Sequence, residues 1–250
     1  MNNMLNKVPS ITLFFWIIKI LATTVGETAA DYLSTTLNLG LTITSYVMSG
    51  ILLMVLIVQL RCKKYIPSVY WLVVVLLSVV GTLISDNLVD HLGVSLGTTS
   101  ILFGSALAIV FVCWYLSEKT LSVHEITTTK RELFYWAAIL FTFSLGTSAG
   151  DLISESSGLG YAYATLLFAV IIGLVFLTYK YLKLNSILAF WIAYILTRPL
   201  GASLGDLLSQ PKNNGGLNLG TTVTSIAFLA TILSLVVYVS FRNKKGKLSY

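Results

Sequence analysis

The segment WIIKILATTVGETAAD, residues 16–31, decides the fold, because its skeleton returns three more times. WLVVVLLSVVGTLISD (71–86), WAAILFTFSLGTSAGD (136–151) and WIAYILTRPLGASLGD (191–206) share its plan: a tryptophan, a glycine ten residues on, a small residue four further, then an aspartate. The four sets are Trp16/Gly26/Ala30/Asp31, Trp71/Gly81/Ser85/Asp86, Trp136/Gly146/Gly150/Asp151 and Trp191/Gly201/Gly205/Asp206. An internal repeat constrains topology before any local reading does. From tryptophan to aspartate is ~22 Å of helix, so each unit holds its carboxylate at one depth.

Composition supplies the surroundings. The chain has 250 residues, 56% hydrophobic and only 10% charged, against about 25% charged in soluble domains. Apolar stretches at about 10–34, 40–60, 67–89, 95–117, 133–154, 159–179, 186–209 and 219–241 each approach the ~20 residues that span a bilayer. None alternates with period two, and lipid admits only helices or closed barrels. The expected fold is an all-α membrane protein of eight transmembrane helices. The first stretch is too long for a signal-peptide core, and Glu27 and Asp31 stand where cleavage would have to occur.

Two helices per repeat make every repeat enter from the same side. The repeats are therefore parallel, related by an axis along the membrane normal. Residues 1–117 form the first half and 133–242 the second, joined by a polar loop at 118–132 and followed by a basic tail at 243–250. The loop's charges, Glu132 among them, read as a solvated face, and Thr127 to Thr129 interrupt the helix. Lys7, Arg61, Lys63, Lys64, Lys119, Lys130, Arg131, Lys180, Lys183, Arg242, Lys244, Lys245 and Lys247 all fall on one side. By the positive-inside rule both termini are cytoplasmic. The net charge of +6 thus orients the chain and implies no nucleic-acid partner. The partner is the bilayer.

The even segments carry no formal charge inside, so odd helices are expected within and even helices outside, against lipid. Gly26/Ala30, Gly81/Ser85, Gly146/Gly150 and Gly201/Gly205 are small-xxx-small pairs that let helix backbones approach. Trp16, Trp71, Trp136 and Trp191, each preceded by Phe or Tyr, read as interfacial anchors of an aromatic belt. The even helices open with hydroxyl-rich motifs: Leu39-Gly40 before Thr42, Thr44 and Ser45; Leu96-Gly97 before Thr98, Thr99 and Ser100; Leu219-Gly220 before Thr221, Thr222, Thr224 and Ser225. Leu159-Gly160 has only Thr165, so the third copy departs.

A carboxylate in a membrane helix is a functional hypothesis by default. Asp31, Asp86, Asp151, Asp206 and Glu27 form the candidate ion- or substrate-binding set. Lys19 and Arg198 are candidates for a gate or a charge pair. Lys19, Thr23, Glu27 and Asp31 follow at four-residue steps on one face, and Arg198 precedes the helix-interior Pro199. Five acids against two bases favour a cation. Hard oxygen ligands suit Mg²⁺, Ca²⁺ or Mn²⁺, and the same carboxylates could instead carry protons in exchange for a small organic cation. A transporter of one of these is the leading expectation. The alternative is a non-transporting scaffold whose polar core specifies helix pairing. No HExxH, GxSxG, phosphate loop or His/Cys cluster is present, so neither an enzyme nor a cofactor is expected. Cys62 and Cys113 read as reduced small hydrophobes.

These residues resemble a family of bacterial membrane proteins built from four tandem repeats, each with two transmembrane segments and a tryptophan. Its repeat is of unknown function, and its members are called uncharacterised membrane-anchored proteins. The resemblance runs from about Phe15 to Phe241, and the four tryptophans match one by one. It implies the bacterial inner membrane and supplies no activity.

Overall fold

Each of the four repeated segments forms a helix carrying its aspartate near one end. The computed structural model describes residues 6–246, with side chains through Phe241. Its spans are α1 (Leu13–Asp31), α2 (Leu41–Arg61), α3 (Pro67–Asp86), α4 (Leu96–Glu118), α5 (Thr129–Asp151), α6 (Tyr161–Tyr181), α7 (Ser186–Ser209) and α8 (Thr221–Gly246). All eight are long and apolar enough to cross a membrane. No strand occurs among the described residues. Helix α8 continues through the start of the expected basic tail. Lys247, and the side chains of Arg242, Lys244 and Lys245, lie outside the described residues.

Local chemistry sets the helix ends. Ser95, Thr128 and Asn185 cap α4, α5 and α7 by accepting from Thr98 N (3.1 Å), Arg131 N (3.2 Å) and Ile187 N (2.9 Å), and Pro67 opens α3 where its missing donor costs nothing. Gly40, Gly160 and Gly220 precede α2, α6 and α8 at φ of 74°, 80° and 79°, a region that side chains disfavour. In the second repeat Ser95 takes over that place, which is why Gly97 lies inside α4.

The arrangement is two concentric layers. Helix α1 packs on α3, α3 on α5, α5 on α7, and α7 closes back onto α1. Between 56% and 72% of each odd span is buried, against 11% to 22% of each even span, so the uncharged even helices do form the outer layer. Each outer helix takes as its main partner the inner helix of the following repeat: α2 on α3, α4 on α5, α6 on α7, and α8 on α1. The repeats are therefore interlocked.

Two contacts recur around the inner ring and define its axis. A Cβ added at Gly26, Gly81, Gly146 or Gly201 would overlap Ser78, Phe143, Arg198 or Thr23 respectively. In every case the residue met lies three positions before the next repeat's own glycine. Ala30 and Ser85 are fully buried, and a Cβ added at Gly150 or Gly205 would lie 3.4 Å from Pro199 or 3.3 Å from Glu27. Because a Cβ added at Gly201 would meet backbone (Thr24 N, 2.9 Å) as well as side chain, no rotamer change relieves a larger residue there. Gly201→Val is expected to destabilise by about 3 kcal/mol or more, read as loss of monodisperse protein and a lower unfolding temperature in detergent.

The second recurring contact corrects the reading of the tryptophans. Trp71, Trp136 and Trp191 are only 3–4% exposed, and Trp16 is half-buried. The residue before each tryptophan packs on the tryptophan of the next repeat: Phe15 on Trp71 (5.6 Å between centroids), Tyr70 on Trp136 (5.4 Å), Tyr135 on Trp191 (6.3 Å) and Phe190 on Trp16 (5.7 Å). Tyr70 and Tyr135 share a hydroxyl–hydroxyl bond of 2.5 Å. The aromatic pairs form a closed collar inside the bundle, packed ring on ring. They are not an interfacial belt.

Glu132 is likewise not solvated. It is buried against Lys7 at 2.5 Å and also accepts from Gln59 Nε2 (3.0 Å), tying the N-terminal segment to α2 and α5. A carboxylate this deep requires such partners.

Candidate functional site

At the end of the ring opposite the collar lies a cavity of about 520 Å³, measured out to its open mouth. Asp31, Asp86, Asp151, Asp206 and Glu27 all line it. The repeat explains the convergence. Each aspartate sits five residues after a glycine that clamps its helix to the next, so four clamped helices present four carboxylates to one axis.

Two further acids, Asp90 and Glu155, line the same cavity, as does Gln210. Each lies four residues beyond its repeat's aspartate, one helical turn farther toward the mouth. The i, i+4 step from Asp86, Asp151 and Asp206 was the available signal. What hid it was the expectation that the inner helices end near the aspartates. Instead, after Asp31, Asp86 and Asp151 the helix widens into a π turn (Tyr32–Thr36, Asn87–His91, Leu152–Ser156). Such turns concentrate at functional sites. The fourth repeat has Pro199 inside α7 in place of a π turn.

Among the described residues, none of the four repeat aspartates accepts a hydrogen bond or joins an ion pair, whereas Arg198 and Glu27 do (2.9 Å). The aspartates are not helix caps. Asp206 is 5% exposed, so it faces the cavity with almost no other outlet. No three His, Cys, Asp or Glu side chains are grouped closely enough to hold a metal ion among the described residues. The carboxylates surround the space without closing on one point.

Behind Glu27, beyond the cavity lining, sits a single guanidinium. Arg198 is fully buried. Its Nη2 donates to Glu27 (2.9 Å), to Thr147 Oγ1 (2.8 Å) and to Thr82 Oγ1, and its Nη1 donates to the Thr23 carbonyl (3.2 Å). Glu27, Thr82 and Thr147 occupy the same repeat position, one residue after the clamping glycine. Arg198 thus reaches from the fourth repeat to that position in the other three, and joins all four across the axis. Only its planar, multi-donor head can do so.

Lys19 corrects the expectation of a charge pair. It is fully buried one turn before Thr23. Its Nζ donates to the Tyr194 carbonyl (2.9 Å) and to Thr197 Oγ1, with the Tyr194 and Phe143 rings 3.8 and 5.4 Å away. No carboxylate pairs with it among the described residues. It lies between Arg198 and the collar and, like Arg198, outside the cavity lining.

The hydroxyl motifs serve packing. Ser45 accepts from Asn87 Nδ2 (2.7 Å), Ser100 donates to Ser148 (3.2 Å) and Ser225 to Thr28 (2.8 Å), each bond joining an outer helix to the next inner one. In the divergent third copy Thr165 turns back to the Tyr161 carbonyl (2.8 Å). Ser203, at the position of Thr28 and Ser148, has no hydrogen-bond partner among the described residues. His91 ends a π turn and His124 lies in a short 3₁₀ turn of the connecting loop. Neither lines the cavity.

A sequence profile described as a Repeat of Unknown Function (DUF347) matches residues 14–65, 69–120, 134–184 and 189–245, one match per helix pair. No curated protein and no solved structure matches the chain. Four tandem matches covering nearly every span, on eight membrane-crossing helices, make this chain an integral membrane protein of the DUF347 repeat family.

Proposed function

We propose that the protein transports a cation, with the acidic cavity as its entry site on the outer face of the bacterial inner membrane and both termini in the cytoplasm. The observation that carries the reading is the lining: seven carboxylates around one cavity, four of them from equivalent repeat positions, with Arg198 paired to Glu27 behind it. Clefts of one charge sign concentrate oppositely charged solutes. The absence of a tight three-ligand group among the described residues favours a cargo that keeps its water shell, or an organic cation with distributed N–H donors, over a dehydrated metal. Asp31, Asp86, Asp151 and Asp206 bind it. Glu27 and Arg198 form a gate: cargo charge near Glu27 competes with the guanidinium and loosens the contact holding the four repeats together.

The scaffold reading draws on a different observation. Below Glu27 the inner ring is packed with buried side chains, those of Arg198, Lys19 and the aromatic collar. A scaffold needs no hydrated acidic cavity, however, whereas a transporter closed on one side requires both features. The test is uptake into proteoliposomes of a fixed probe panel: Mn²⁺, Mg²⁺, agmatine and tetraethylammonium. Uptake of at least one probe by the wild type, lost when the aspartates are neutralised, supports the reading. No uptake of any probe, with and without a pH gradient, favours the scaffold.

A further inference from the structure

A second concavity lies at the other end of the molecule, on the outside of the bundle. Because α4 leans on α5, and α6 covers another face of α7, the first turns of α7 are left open beside the last turns of α4. The groove measures about 830 Å³ out to its open side. Its walls are apolar, formed by Phe111, Tyr115, Ile187, Leu188, Trp191 and Ile195. Its floor is rigid. Trp191 stacks edge-on against Phe111 (4.8 Å), and its Nε1 donates to the Leu121 carbonyl (3.0 Å).

One end of the groove is polar, at Lys119, Thr120 and Asn185. Lys119 ends α4 in the left-handed conformation (φ 57°) and is exposed. Its neighbour Glu118 is already engaged by Arg131 (2.9 Å) and Lys130 (3.3 Å), and Lys119 has no ion-pair partner among the described residues. The groove therefore combines a hydrocarbon-lined channel along a membrane helix with one free ammonium at the level where the spans end. This face suits lipid: Val112 and Leu188 beside it are 56% and 50% exposed, as apolar groups facing hydrocarbon are.

We propose that this groove holds one anionic glycerophospholipid, an acyl chain lying along Leu188 and Trp191 and the phosphate paired with Lys119. A second copy of the chain would cover the apolar walls but supplies no reason for a free lysine at one end. A zwitterionic lipid would fill the channel without satisfying that charge. The proposal is independent of what the acidic cavity does.

Native mass spectrometry of the full chain in mild detergent tests it, with dioleoylphosphatidylglycerol and dioleoylphosphatidylcholine as probes. The wild type is expected to retain one phosphatidylglycerol, with phosphatidylcholine bound about five-fold more weakly, since a lysine near anionic lipid contributes about a factor of five. Lys119→Gln abolishes that preference while unfolding at the wild-type temperature without lipid. Leu188→Trp, which fills the groove, weakens both lipids. Lys64→Gln, an exposed lysine outside the groove, leaves the preference intact. Equal retention of the two lipids by the wild type, an unchanged preference in Lys119→Gln, or an equal loss in Lys64→Gln overturns the proposal. So does a dimer that Leu188→Trp dissociates.

Discussion

Arg198→Gln is expected to lower the free energy of unfolding by about 3–5 kcal/mol, the range for removing one partner of a buried ion pair. The variant leaves Glu27 almost fully buried without its guanidinium, and withdraws the donor shared by Thr82 and Thr147. Glu27→Gln alone is costly for the reciprocal reason, because a fully buried arginine loses its only carboxylate partner among the described residues. The double variant Glu27→Gln/Arg198→Gln should be more stable than the two single losses add up to, with a coupling of about 1–3 kcal/mol expected between residues in direct contact. Arg198→Lys does not restore the wild type, since an ammonium is a compact point charge and cannot reach three repeats at once. Denaturant or thermal unfolding of the four proteins in one detergent provides the cycle. Wild-type stability in Arg198→Gln would mean that the axial contact holds nothing together.

Neutralising two aspartates from alternate repeats, Asp86→Asn/Asp206→Asn, is expected to reduce uptake of a transported probe at least about 100-fold while leaving the protein folded. The magnitude follows from charge. Two carboxylates roughly 6 Å from a bound cation, at an effective dielectric of about 20, contribute ~2–3 kcal/mol each before screening, and 100-fold corresponds to only about 2.7 kcal/mol. The fold survives because neither side chain has a hydrogen bond or ion pair to lose among the described residues. Removing like charges from one cavity leaves unfolding temperature unchanged or raised. Flux and unfolding temperature therefore move independently, which separates loss of a site from loss of structure. A double variant that transports at the wild-type rate would refute the assignment of these aspartates.

How far each feature was legible depended on the range of the interaction behind it. The membrane spans, their number and their pairing into repeats follow from hydropathy and spacing along one helix at a time. The inner and outer layers were legible because formal charges within the spans fall only on odd helices, and exposing them to lipid is prohibitive. The convergence of the aspartates was inferable from parallel repeats around an axis. Asp90 and Glu155 were missed because a π turn prolongs the helix past Asp86 and Asp151, and no residue type announces a π turn. The tryptophans were misplaced for another reason. An aromatic pair at a helix start reads the same whether it meets headgroups or the next helix, and only the ring's closure puts Trp71, Trp136 and Trp191 inside.

The sequence by itself determined what each repeat contains and how deep each group lies, because helical rise converts residue number into depth. Tertiary structure alone decided which neighbour each group meets: that α2 reaches past its own repeat to α3, that Lys19 stays without a carboxylate, and that Arg198 spans the axis to Glu27, Thr82 and Thr147. Depth is a property of one helix, whereas a partner across the axis depends on how four helices rotate against one another. That rotation is set by glycine contacts between repeats, which no single segment encodes.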